Sequence, residues 1–172
     1  MPVATLVALI LAGGGGSADL NRWDGVSLRR HEDAAAKVAF PVPLTQTVLT
    51  ARHFPGAREG QMKHVFTLTG PTVEEVELGL FSNPKSRSLE AWVTATLPFL
   101  RASANASMPW QATVKRVPAL VIEQPRSPQQ YGQRVAIFRL GETVVVVSCR
   151  NVESPRAVSE FEAIVAGLEV LP

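Results

Sequence analysis

Few side chains in this chain are of a type that does chemistry. They are three histidines (His31, His53 and His64), one cysteine (Cys149), and an acidic group of Glu74, Glu75 and Glu77. A metal centre needs ligands at helix- or loop-compatible spacing, and none of these falls into a His-Glu-x-x-His or Cys-x-x-Cys pattern. There is no Gly-x-Ser-x-Gly elbow to expose a nucleophile. Cys149 ends an apolar run and has no accompanying histidine or asparagine pattern, so it reads as a small buried hydrophobe. Glu75 and Glu77 alternate with Val76 and Leu78, which puts the two carboxylates on a solvated strand face with no partner acid nearby. If the chain catalysed a reaction, its base would be His53 or His64, on strand or loop edges. Gly13–Gly16 lacks the Gly-Lys-Ser/Thr continuation of a phosphate loop. The residues thus designate no catalytic site, no metal site and no cofactor, and the chain reads as non-enzymatic.

The elements that would position any site are clearest in the last quarter. Gln133–Leu140 and Thr143–Arg150 read as strands joined by Gly141-Glu142, a two-residue loop with glycine first, as a type II′ turn requires. That loop sets Phe138 opposite Val145 and Ala136 opposite Val147, with Val135 and Ile137 opposite Ser148 and Val146 on the other face. Both faces are apolar, so the pair should be central and covered on both sides. Ser154 caps a helix over Pro155–Leu168, with Pro155 at its first position. Val158, Phe161, Ile164, Val165 and Leu168 form one stripe, each contributing about 1.5–3 kcal/mol on burial before entropy. Arg156, Glu160 and Glu162 lie off the stripe.

Upstream, Lys37–Phe40 reads as a short strand stopped by Pro41 and Pro43. Gln46–His53, Met62–Thr69 and Val73–Phe81 follow as strands, the last with Val76, Leu78 and Leu80 inward. Ser88 caps a helix with Glu90 in its first turn, and Leu89, Trp92, Val93, Thr96, Leu97 and Leu100 form its buried face, with Pro98 ending or kinking it. Trp92 reads as core. Trp110–Arg116 and Ala119–Glu123 are strands around Pro118, and Gln124–Gln130 is an exposed proline-rich loop.

The chain has 172 residues, 46% apolar and 19% charged, enough for one globular domain with a real core. Its net charge is +2, with 13 Arg and 4 Lys scattered rather than clustered, so nucleic acid is not an expected partner. One cysteine permits no internal disulfide. Val3–Ala12 is an apolar run too short to span a bilayer. With small residues at Gly16 and Ala18 it resembles a signal peptide cleaved after Ala18, although its start carries no basic residue. The organisation expected is a signal peptide over 1–18, a linker over 19–36 with one short strand at Val26–Arg29, and a single domain over 37–172. The mature chain would carry no transmembrane span and would be periplasmic or secreted; uncleaved, it would be cytoplasmic. The bias toward Arg, Ala, Gly, Pro and Val points to a high-GC bacterial source.

Taken in order, the chain resembles the PsbP/DcrB-like α/β sandwich family, which also includes a Ran-binding import factor. The resemblance rests on the strand running into Phe40-Pro41, the hairpin within Met62–Phe81, Asn83-Pro84 leading to Ser88-Leu89-Glu90-Ala91-Trp92-Val93, Pro118-Ala119 opening a strand, and Val158–Val165 in the closing helix. It departs at Val117, where glycine is common, and in Gln124–Gln130. The resemblance implies an α+β fold: a mostly antiparallel sheet covered by helices on both faces, as an α/β/α sandwich. It further implies an exported accessory or chaperone-like binding protein of a bacterial envelope, with a protein partner there. The alternatives are a small-molecule or lipid carrier with a pocket between sheet and helices, lined by Val135–Phe138 and Trp92, and an enzyme without a recognisable motif. No motif fixes the oligomeric state. A binding surface would lie away from the final hairpin and helix, around Phe54–Gly60, Ala102–Trp110 or Gln124–Tyr131.

Overall fold

The computed structural model describes residues 18–19, 26–58, 60–70, 75–83, 87–98, 110–128, 131–151 and 154–172. In chain order the strands are β1 (Ala18–Asp19), β2 (Leu28–Asp33), β3 (Val38–Pro43), β4 (Thr47–His53), β5 (Met62–Thr69) and β6 (Glu75–Ser82), followed by helix α1 (Leu89–Thr96). Then come β7 (Trp110–Val114), β8 (Val117–Gln124), β9 (Gln133–Leu140), β10 (Thr143–Arg150), helix α2 (Pro155–Gly167) and β11 (Glu169–Val170). Eight strands form one sheet in the order β1-β7-β8-β9-β10-β6-β5-β4, antiparallel except for the short β1–β7 pair. The remaining three form a small sheet, β11-β3-β2.

The β9–β10 hairpin has the register its turn dictates, with Phe138 opposite Val145 and Ile137 opposite Val146. Gly141 takes φ +60° in that turn, a conformation glycine adopts without steric cost. Both strands sit in the middle of the large sheet. Cys149 is buried, its thiol donating to the Ala157 carbonyl oxygen at 3.7 Å, so it is a packing residue under α2.

One face of the large sheet holds the main core. Phe66, Leu78, Val121, Phe138, Val145 and Val147 meet Phe161, Ile164 and Leu168 of α2, with Val38, Phe40 and Val42 of the small sheet filling the rest. Among the described residues the other face bears one helix, α1, eight residues long, which lies on a smaller cluster of Phe81, Leu120, Ile122, Val135, Ile137 and Val144. The expected α/β/α sandwich, with helices covering both faces, is therefore overturned. The chain is strand-dominated, one face is closed by a helix together with a second sheet, and the other carries the single helix α1 among the described residues.

Two proline readings also change. β3 runs through Pro41 and Pro43 instead of stopping before them, and β8 contains Pro118. β11 pairs only with Val38 and Ala39, so the edge of β3 beyond them has no strand to receive an N–H. β9 begins pairing with β8 at Ala119, one residue after Pro118. Each proline sits where the missing donor interrupts no ladder. Within the stretch expected as linker, β2 begins at Leu28 and runs to Asp33, pairing along all of β3.

β4 is the outermost strand at its end of the large sheet, and its pairing with β5 shifts register between Val48 and Thr50. Leu49, the extra residue of this bulge, is 63% exposed.

Candidate binding surface

The α1-bearing face of the large sheet carries three clefts of uneven chemistry. α1 is positioned by local chemistry. Ser88 Oγ accepts from the Ala91 N–H at 3.2 Å, Glu90 lies in the first turn, and the helix ends at Thr96, two residues before Pro98. Asn83, wholly buried, fixes what precedes it. Its N–H donates to the Glu142 carbonyl oxygen at 2.8 Å, its side-chain amide donates to the Arg87 carbonyl oxygen at 3.2 Å, and its Oδ1 accepts from the Arg87 N–H. The end of β6, the β9–β10 turn and the start of α1 are thereby tied together.

Clefts border both ends of α1 among the described residues. At one end, a cleft of about 230 Å³ is lined by Met62, Phe81, Leu97, Val135 and Val146, with Glu75, Glu77, Ser148 and Arg150 at its polar side. Arg150 pairs there with Glu75 at 3.4 Å. Alternation does place Glu75 and Glu77 outward, and they border this cleft.

At the other end, a wider cleft of about 860 Å³ runs between the start of α1 and strands β7, β8 and β9. It is lined by three arginines (Arg87, Arg116 and Arg139) and one carboxylate, Glu90. Neither Arg116 nor Arg139 has a carboxylate partner among the described residues. Arg116 is presented by the β7–β8 turn, where Lys115 and Arg116 take φ +48° and +65°. Such a turn ordinarily uses Asn and Gly, because side chains resist this region at a cost of about 1 kcal/mol or more per residue.

Arg87 also borders a third opening of about 310 Å³, between α1 and the β4–β5 loop, with Gly60, Gln61, Trp92, Ala95 and Thr96. Gly60 takes φ +76° and donates to the Ser82 carbonyl oxygen, bringing the loop so close that a Cβ there would sit 3.5 Å from Thr96 Oγ1. Trp92 is 1% exposed and stacks edge-on against Phe81, with ring centroids 5.2 Å apart. Its indole N–H is buried and has no acceptor among the described residues. An unsatisfied buried donor costs about 1–3 kcal/mol, so its presence calls for an explanation.

No family model matches the chain, and no curated protein is similar to it in sequence. Among solved structures it is similar to the Saccharomyces cerevisiae Ran-binding protein Mog1p, with TM-score 0.55 and 15% identity over 86% of this chain and 97% of that one. It is also similar to cyanobacterial PsbP (CyanoP) from Synechocystis sp. PCC 6803, with TM-score 0.54 and 12% identity over 94% of this chain and 99% of that one. A Bacteroides thetaiotaomicron VPI-5482 crystal structure matches with TM-score 0.53 and 14% identity over 83% of this chain and 48% of that one. The fold is PsbP- and Mog1-like. At these identities the likeness concerns the fold alone.

The three histidines, far apart in sequence, converge at the seam of the two sheets. His53 and His64 approach through their Nδ1 atoms at 2.8 Å, and His53 Nε2 lies 3.5 Å from Asp33 Oδ2 on β2. His31 stacks against Phe40 and Phe66, at 5.0 and 6.0 Å between centroids. Burial, then the neighbouring His53 charge, holds His64 below its ordinary value, with Asp33 opposing and Lys63 adding a little. Among the described residues, no three His, Cys, Asp or Glu side chains form a metal-binding group.

Of the three loops expected to bind, the one over Phe54–Gly60 does border the α1 face through Gly60. Tyr131 in the third is exposed, with the Arg126 guanidinium 5.7 Å from its ring centre. Residues 102–109 and residues 1–17 lie outside the described residues, and Ala18, the expected end of a signal peptide, pairs with Ala112 in β1. The Arg116–Arg139 cleft escaped sequence reading because its members come from a turn, a strand and a helix start that only the fold brings together.

Proposed function

We propose that this chain is a non-enzymatic binding protein that receives a protein partner on the α1-bearing face of its large sheet. The observation that carries this reading is the cleft of about 860 Å³ between the start of α1 and strands β7 to β9, bordered by three arginines. Mog1p, a Ran-binding protein of similar fold, is in keeping with protein binding. The setting we propose is a bacterial cell envelope, where the chain acts as an exported accessory or chaperone-like component. The apolar run Val3–Ala12 followed by small residues supports export.

A photo-crosslinking residue at Arg116, compared with one at exposed Leu49 on the far edge of the sheet, tests the surface. A discrete adduct from position 116 and none from position 49, in a periplasmic fraction, is the expected result. Equal adducts from both positions, or none from 116, would refute the reading. A lipid carrier is less well supported, because the apolar cleft that would hold an acyl chain is about 230 Å³, below the usual size of ligand pockets.

A further inference from the structure

We propose that His53 and His64 form a one-proton clasp at the base of the β4–β5 connection, closed at neutral pH and opened when acid delivers a proton to each ring. The clasp stands apart from the docking face proposed above; only its bearing on that face rests on that reading. The two residues are the last paired rung of β4 and β5, and their Nδ1 atoms lie 2.8 Å apart. With the ring centroids 5.0 Å apart, the two nitrogens sit between the rings and face each other. A bond between two imidazole nitrogens needs one N–H and one lone pair, so the neutral rings must be of opposite tautomer at this contact.

Asp33 on β2 decides which ring donates. Its Oδ1 accepts from the Ala36 N–H at 2.8 Å in the β2–β3 turn, and its Oδ2 lies 3.5 Å from His53 Nε2. A carboxylate favours a proton on the nitrogen it faces, which leaves the His53 lone pair at Nδ1. His64 must then donate from Nδ1, and its own lone pair lies at Nε2. A first added proton enters at His64 Nε2 and leaves the shared bond intact. A second has to take the His53 lone pair, which sets N–H against N–H and two positive rings together. The surrounding charges do not cancel this repulsion. Asp33 faces one imidazolium only, and Lys63 on β5 adds positive charge. Arg52 lies on the opposite face of β4 by strand alternation, and Glu32 on β2 is engaged by Arg30. His31, also on β2, packs against Phe40 and Phe66. Burial and the His53 charge, which hold His64 below its ordinary value, act in the same direction.

Just beyond the pair, the Phe54 N–H donates to the Lys63 carbonyl oxygen at 2.8 Å, and that bond closes the connection at its base. At the far end of the connection, Gly60 donates to the Ser82 carbonyl oxygen at 3.1 Å and borders the opening beside α1. The β5–β6 pairing shifts register between Met62 and His64, so His64 sits where its strand is already irregular. When the rings part, the movement is taken up at this end and not at the sheet centre. Acid thus loosens the edge that Gly60 supplies to the α1-bearing face and leaves the fold standing.

The test is nuclear magnetic resonance on the isotope-labelled full chain, in buffer with EDTA, from about pH 7.5 to about pH 4.5. Long-range proton–nitrogen correlations of the rings should show His53 protonated at Nε2 and His64 at Nδ1 at the neutral end. On acidification the rings should titrate in two steps separated by about one pH unit or more. The Gly60 amide should shift with the lower step while the Ile137 amide, at the sheet centre, stays in place. His64→Gln keeps a donor for His53 Nδ1 and removes the second proton site, so the Gly60 amide should lose most of its shift. Nε2–H tautomers on both rings of the unaltered chain overturn the clasp, as does a single common titration step. A Gly60 shift that persists undiminished in His64→Gln, or that Ile137 shares, overturns it too. Crosslinking from position 116 decides the docking face separately, and its absence in the unaltered chain removes that face and not the clasp.

Discussion

His53 and His64 stand opposite each other in the β4–β5 pair with their Nδ1 atoms 2.8 Å apart, a separation that holds one proton between them and not two. His64 is held below its ordinary value of 6.5 by burial first and by His53 second, against the pull of Asp33. A group whose folded value is depressed contributes stability that is complete above its unfolded value and is lost as pH falls through the folded one. Stability contributed by His64 should therefore be full above about pH 6.5 and decline below it. The urea midpoint should be lower at about pH 5 than at about pH 7.5, and His64→Gln should remove part of that difference. Parallel profiles for the two proteins would show that the pair plays no part.

Glu160 on α2 is buried and accepts three hydrogen bonds, from Thr45 Oγ1 at 2.7 Å, Gln46 Nε2 at 2.6 Å and Arg156 Nε at 2.9 Å. Glu160→Ala leaves two donors of the β3–β4 connection without an acceptor and should cost about 3 kcal/mol or more. Arg156→Ala removes only the half-exposed partner and should cost under about 1 kcal/mol. Chemical denaturation of the two variants, showing equal losses, would contradict this ranking.

Gly167 closes α2 directly over Pro41, and a Cβ there would collide with the proline ring. A helix glycine replaced by alanine normally gains up to about 1 kcal/mol. Here Gly167→Ala should instead destabilise by about 1–3 kcal/mol, as overpacking does. Adding Pro41→Ala should restore much of the loss. A stabilised single variant would mean that β3 yields at this point.

Arg116→Glu and Arg139→Glu reverse charge at two side chains that have no ion pair among the described residues. Each should leave unfolding free energy within about 0.5 kcal/mol of the parent. Their joint effect should appear instead as a loss of partner recovered from the periplasmic fraction and a weaker salt dependence of what remains. A large stability loss would mean that the arginines hold the fold together.

What the residues disclosed, and what they concealed, divides by distance along the chain. The β9–β10 register follows from Gly141 alone, and both helix starts follow from Ser88 and Ser154, because each depends on neighbours within four residues. Glu160 lies off the apolar stripe of α2 and reads as solvated, but Gln46, from 114 residues earlier, closes over it. Pro41 reads as a stop because nothing local reveals that β11 ends short of it. Trp92 reads correctly as core, its spacing within α1 being a local signal. The candidate surface was out of reach for the same reason, being assembled from β7, β8, β9 and α1 at once.

The bulge at Leu49 bears on how the protein behaves in company. A regular outer strand is a template on which a second molecule can add its own strand, and then a third. At β4 the extra residue throws the backbone groups out of step. A neighbour that begins to zip onto this edge loses alignment midway. Deleting Leu49 would restore a regular edge and would be expected to promote self-assembly of the chain at high concentration.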